Sequence, residues 1–207
     1  MRKLITTSIV LLVTHMMFAQ KWTPQEYQNW NQSNFRNCQL FHQKFNQHDP
    51  DYQLLNAALF YLTNDTRLKY RKPVLAYHAA LEIAAYNHSY HMAESTFFSH
   101  ENNIDARRRK TDDRGKLAGI VNPYIAENIV YFINSNSYSY LDIAIEALDI
   151  WMNSPGHRSN ILAENGVQFG CGVYVKDNMV YGTQNFQWYE PIVMSAKQPV
   201  DQLPNTK

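Results

Sequence analysis

The 207-residue chain carries 19 Lys and Arg against 18 Asp and Glu, with 45% hydrophobic and 14% aromatic residues. That charge balance gives no basic excess for nucleic acid or an anionic membrane surface, and the apolar content is enough for one packed domain.

In chain order, Arg2 and Lys3 precede an apolar run from Leu4 to Val13, and the small residue Ala19 stands before Gln20 and polar sequence. This is the pattern of a secretory signal peptide over 1–19, cleaved after Ala19. Thr14 and His15 interrupt the run, which falls short of the roughly 20 residues that span a bilayer. No Cys follows it for acylation and no second long apolar stretch occurs downstream, so the mature chain is expected to be secreted or periplasmic without a transmembrane anchor. Removal of the leader takes two of the 19 basic residues and leaves 17 against 18 acidic ones, a net charge of −1. In such an oxidising compartment Cys38 and Cys171 leave two readings open: one disulfide, or two separate thiols with Cys171 a small buried hydrophobe.

Residues 20–49 are rich in Gln, Asn and aromatics (Trp22, Tyr27, Trp30, Phe35, Phe41, Phe45) and read as a partly helical arm. Its rings either extend the core of a domain or are exposed to a partner. A domain over 50–190 follows. Leu54, Leu55, Ala58, Leu59 and Leu62 predict an amphipathic helix, Pro73 breaks the next stretch, and Leu81, Ala84, Ala85, His88 and Met92 form the stripe of a second helix. His88 then faces the core, either as a hydrogen-bonded core residue or as a ligand, and His91 lies at the stripe's edge.

Beyond Phe97-Phe98-Ser99-His100 a polar segment runs to Gly119. Its basic cluster Arg107 to Lys110 is flanked by Asp105, Asp112 and Asp113 and reads as a solvated loop or short helix. From Pro123 to Ile133 the composition is that of a strand, with Ile125, Glu127, Ile129, Tyr131 and Ile133 on one face. Glu127 is therefore a carboxylate among apolar neighbours and needs a positive, protonated or metal partner. A polar loop leads to a helix with Leu141, Ala144, Ile145, Leu148 and Met152 on its stripe. Ser154-Pro155-Gly156 reads as its stop, placing His157 by a tight turn. Val167, Phe169, Cys171, Val173 and Val175 alternate, and Lys176-Asp177-Asn178 turns them into a hairpin with Met179 to Phe186. The tail, 191–207, reads as mobile from Ser195 onward.

Four ordered segments carry a resemblance: Phe97-Phe98-Ser99-His100, Ala126-Glu127-Asn128-Ile129, Trp151 to Leu162 with its Ser154-Pro155-Gly156-His157 core, and Tyr181-Gly182-Thr183-Gln184-Asn185-Phe186. Together they resemble the CAP (SCP-like) superfamily of cysteine-rich secretory, antigen 5 and pathogenesis-related proteins in its short bacterial form, from about Tyr52 to Phe186. The resemblance implies an α+β fold, a three-layer α-β-α sandwich with a central antiparallel sheet. It also implies a cleft, which in eukaryotic members gathers two His and two Glu. By motif these fall on His100, Glu127 and His157, while the second Glu position is occupied here by Ser154.

Two imidazoles and a carboxylate make a candidate site for Zn2+ or another divalent cation with an open position; a hydrogen-bonded cluster that stabilises the cleft is the alternative. Two functions follow. One is a secreted module that binds a lipid, another small hydrophobic molecule or a peptide. The other is metal-assisted hydrolysis of a peptide or cell-wall substrate through the same residues. There is no His-Glu-x-x-His, no Gly-x-Ser-x-Gly and no Cys in a nucleophile context, so the reading favours binding over catalysis.

Overall fold

The structure, a computed structural model, describes residues 21–135 and 137–203. The leader expected over 1–19 and its cleavage after Ala19 lie outside the described residues.

A mixed sheet forms the middle layer. Its strands are β1 (Ala76–Tyr77), β2 (Ile125–Ile133), β3 (Gly166–Lys176) and β4 (Met179–Trp188), in the spatial order β1-β3-β4-β2. β4 pairs antiparallel with both β3 and β2, and the two-residue β1 adds a parallel edge to β3. The β3–β4 hairpin closes through Asp177 and Asn178, both at positive φ, the geometry that a two-residue hairpin turn requires and that Asp and Asn tolerate.

Helices cover both faces. α1 (Tyr52–Lys69) and α4 (Tyr140–Asn153) pack on one side, where Phe169, Cys171, Val173, Val180 and Phe186 join Leu148 and Trp151 in the main core. α2 (Ala79–Glu94) lies on the other side, directly against β3. The contact is close because Gly170 and Gly172 present no side chain to it. A Cβ at Gly172 would fall 1.9 Å from the backbone nitrogen of Tyr86, and one at Gly170 would fall 2.3 Å from that of Glu82. Alternation in β3 thus places Phe169, Cys171 and Val173 in the main core and bare backbone beneath α2.

The arm is part of the core. Three short 3-10 turns, Pro24–Gln28, Phe35–Asn37 and Gln39–His42, bring Trp22, Phe35 and Phe41 to zero exposure around Tyr61 of α1. Asp51 joins the two parts: its carboxylate accepts from Leu54 N to cap α1 and from Trp22 N to hold the arm. α1 is consequently buried around most of its circumference, and its polar residues are matched inside. Asn56 Oδ1 accepts from Val173 N, Gln184 Nε2 donates to Thr63 Oγ1, and Arg67 donates to the carbonyls of Pro73, Ile161 and Ala163. Cys38 and Cys171 are both free, buried thiols.

Two local expectations change. Ser154-Pro155-Gly156 does not end in an isolated turn, because Pro155 opens a further helix, α5 (Pro155–Ile161). Proline is well suited to a first helical position, where its missing N–H has no helical partner to lose. The tail expected to be mobile is docked through residue 202. Ser195 N donates to Gly119 O, Val200 N and Asp201 N to Leu117 O, and Asn87 Nδ2 to Gln202 O. The half-buried Arg108 pairs with Asp201, which is 4% exposed.

Candidate functional site

Glu127 sits in β2 with its side chain almost wholly buried, 2% exposed, facing α2. Both carboxylate oxygens are engaged. Oε2 accepts from Arg114 Nη2, and Oε1 accepts at 2.9 Å from Nδ1–H of His100. Burial pushes the Glu127 pKa up, but the Arg114 guanidinium and the His100 hydrogen bond outweigh it, and the carboxyl stays below its ordinary range as an ion.

Arg114 comes from α3 (Thr111–Leu117) and is 1% exposed. Its Nη1 donates to the carbonyls of His100, Arg108 and Arg109, and Nη2 also donates to Thr111 Oγ1, so one guanidinium fastens the polar loop to the carboxylate. Sequence reading missed it. Arg114 stands four residues beyond a basic run that is otherwise mostly exposed, and only its later position in a short helix distinguishes it.

His100 leaves the loop after α2 with its side chain 54% exposed. Since Nδ1 is committed to Glu127, Nε2 is the nitrogen left for a ligand. His88, at zero exposure, donates from Nε2 to Ser99 O and lies 3.9 Å behind Glu127 Oε1. Burial lowers its pKa to about 4, so it is a neutral core imidazole.

His157 stands in the first turn of α5. Asn128 Nδ2 donates to its carbonyl, while Asn160 Nδ2 donates to Glu127 O and Asn128 Oδ1, so two asparagines lace α5 to β2 beside the site. His157 Nδ1 is buried with no partner among the described residues. Desolvation lowers its pKa, and the nearby His100 lowers it further. Ser154 is half-buried, ends α4 and precedes α5, and its side chain caps neither helix. Asn128 and Asn160 both lie inside the ordered motifs, where their adjacency to Glu127 and His157 was the available signal.

Among the described residues no group of three His, Cys, Asp or Glu converges to hold a metal ion. Glu127 bonds Nδ1 of His100, on the side of the ring away from the nitrogen left for a ligand, and so stands behind that imidazole. The two imidazoles, with Glu127 behind His100, remain the available donors.

Along the same face of β2 the surface turns apolar and open. Tyr131 and Ile133 are 52% and 72% exposed, Phe98 packs against Tyr131 at 4.6 Å between centroids, and Tyr181 lies beside Tyr131. No helix among the described residues is long and apolar enough to cross a membrane.

These features can be set beside known proteins. A curated Bacillus subtilis protein, described as an uncharacterised membrane protein, is 31% identical over 125 residues, 60% of this chain and 32% of its own length. The crystal structure of an extracellular protein containing an SCP domain from Bacillus anthracis is 30% identical, with a TM-score of 0.52 over 67% of this chain and 42% of that one. An outer surface protein from Borrelia burgdorferi shares the fold at 16% identity, with a TM-score of 0.51 over 65% of this chain and 92% of its own. The chain thus spans less than half of the two Bacillus proteins. The sequence pattern of the cysteine-rich secretory protein family, CAP, matches residues 60–186. With that match over more than half of its length, the chain belongs to the CAP family of generally extracellular proteins.

Proposed function

We propose that the protein is an extracellular binding module for a small amphiphilic molecule, with a polar end at His100 and His157 and an apolar body along Phe98, Tyr131 and Tyr181. The observation that carries this reading is the burial and pairing of Glu127. A general base must reach its substrate and take up a proton, and this carboxylate is 2% exposed and held as an ion by Arg114 and His100. What faces outward is His100 Nε2 together with an open aromatic ledge of Phe98 from the same loop, Tyr131 from β2 and Tyr181 from β4, a combination suited to one wet end and one greasy end.

The test is a titration of the full chain with a fluorescent fatty acid and with its methyl ester. Binding of the acid in the micromolar range is expected, weakened about tenfold by Phe98→Ala with Tyr131→Ala. The ester should bind more weakly, because it loses the ionised head. Equal binding of acid, ester and double variant would remove the proposal.

One observation favours a second reading. Glu127 accepting from His100 Nδ1 is the arrangement that orients a metal-binding imidazole from behind. His100 and His157 would then hold Zn2+ or another divalent cation, which when bound supplies Lewis-acid polarisation or an activated water. In this reading Glu127 fixes the ring and Arg114 fixes Glu127. Zn2+ titration by calorimetry, with His100→Ala as control, and a peptidase assay with and without the metal separate it from simple binding.

A further inference from the structure

We propose that the open edge of β2, from Ile129 to Ile133, pairs antiparallel with the same edge of a second copy of this chain, giving a weak twofold dimer built on one continuous sheet.

β2 is the outermost strand on its side of the sheet and pairs only with β4. Its backbone groups alternate in direction, and the flanking bonds fix the phase. Trp188 N donates to Tyr124 O and Asn134 N donates to Asn178 O, so the even-numbered residues from 124 to 134 point toward β4 and its turn. The odd-numbered residues point away. Along the first half of the strand these outward groups are engaged: Ile125 N donates to Asp112 Oδ1, Glu127 O accepts from Asn160 Nδ2, and Ile129 O accepts from Trp151 Nε1. The outward N–H and C=O of Tyr131 and Ile133, and the N–H of Ile129, have no partner among the described residues. Free groups at a two-residue spacing are a template for another strand.

This edge also lacks the features that keep strand edges apart. The opposite edge of the sheet is the two-residue β1, which closely follows Pro73. β2 is nine residues long, contains no Pro and no Lys, and pairs with β4 without a bulge. Its outward end carries the exposed side chains of Tyr131 and Ile133.

The free groups call for an extended chain, and a second β2 meets them in register. A twofold axis at Tyr131 sets that residue against Tyr131 of the second copy and sets Ile129 against Ile133, so every unmet donor and acceptor gains a mate. Ile129 O takes its added bond on a second lone pair. Such an axis brings any charge close to its own copy, and a charged edge would repel itself. From Asn128 to Ser135 the sequence has no charged residue. Area sets the strength. Phe98, Tyr131 and Ile133 leave roughly 300 Å2 of side chain open per copy, against about 800 Å2 per partner in a standard stable interface. The dimer is therefore weak, with Kd on the order of 100 μM.

Sedimentation velocity on the full chain, from about 10 μM to about 1 mM, brackets that Kd and should show a monomer–dimer transition. Ile133→Pro removes an N–H that points away from β4, which costs the monomer no ladder bond, and Ile133→Lys sets like charges along the paired edge. Each should weaken association about tenfold or more, with urea unfolding in dilute solution checking that both variants stay folded. Ile133 lies outside the ledge assigned to the amphiphile, so the result does not depend on that reading. Amide exchange by NMR locates the contact. The Tyr131 and Ile133 amides should slow about fivefold at about 1 mM, where about four-fifths of the chain is dimer at that Kd, while Val130 and Phe132 stay slow throughout. Four results would each overturn the assignment. The chain stays monomeric throughout, it associates equally well in both variants, or it associates without slowing the Tyr131 amide. The fourth is Tyr131 protection that persists on dilution, which would mean that another segment of the same chain lies along the edge.

Discussion

Deleting Arg114 would leave the Glu127 charge in a site with 2% side-chain exposure, where His100 alone cannot replace a guanidinium. Breaking a buried ion pair from one side costs about 3–5 kcal/mol, whereas removing both charges is far milder. Arg114→Met should therefore destabilise strongly in urea unfolding. Arg114→Met with Glu127→Gln should be more stable than Arg114→Met alone. Equal stability of the single and double variants would mean that Glu127 draws its stability from elsewhere. The same pair shows what sequence could and could not disclose at the residue scale. Glu127 alternates with apolar residues, so its need for a partner was legible, and the motif at Phe97 to His100 pointed to His100. Arg114 was not legible, because nothing local separates a buried Arg from the exposed Arg107 and Arg109. Glu82 was likewise invisible. It lies beside the apolar stripe of α2 and is 2% exposed only because β1 and the arm close over it. Asn56, Tyr77 and Tyr27 each donate to its carboxylate.

At the scale of elements, alternation and helical periodicity carried most of the fold. Phe169, Cys171 and Val173 point into the main core as their spacing implies, and the Asp177-Asn178 turn sets the hairpin register. Three features were set by tertiary packing and escaped the local pattern: the burial of α1 on its arm side, the docking of the tail through Asp201, and the bare strand beneath α2. The last gives a sharp test. Gly172→Ala places a methyl group 1.9 Å from backbone rather than from a movable side chain, so α2 must lift off β3. Overpacking of this kind costs about 3 kcal/mol or more. Gly156→Ala, whose Cβ would meet nothing within 4 Å, should change stability by less than about 1 kcal/mol. Similar unfolding midpoints for the two variants would contradict the packing of α2 on β3.

Across the whole molecule, two buried groups on α2 make stability depend on pH in opposite directions. Burial holds His88 at about 4 in the folded protein against an ordinary 6.5. Between those values the unfolded chain binds the extra proton, so stability rises with pH through this window and is lost as pH falls. Glu82 is pushed up to about 7 from an ordinary 4.5 by burial, against the hydrogen bonds from Asn56, Tyr77 and Tyr27. Here the folded state holds the extra proton, so stability is full below 4.5 and is lost as pH rises toward 7. Each difference corresponds to roughly 3 kcal/mol. The two slopes oppose each other over the shared range. Glu82→Gln removes one slope while keeping the shape of the side chain. The variant should gain roughly 3 kcal/mol relative to wild type between about pH 4.5 and pH 7. Urea titrations at half-unit steps measure this difference directly, since the other titrating groups are common to both proteins and cancel. A difference profile without slope across that interval would show that Glu82 keeps one protonation state throughout, and that the hydrogen bonds from Tyr27 and Tyr77 hold the arm independently of pH.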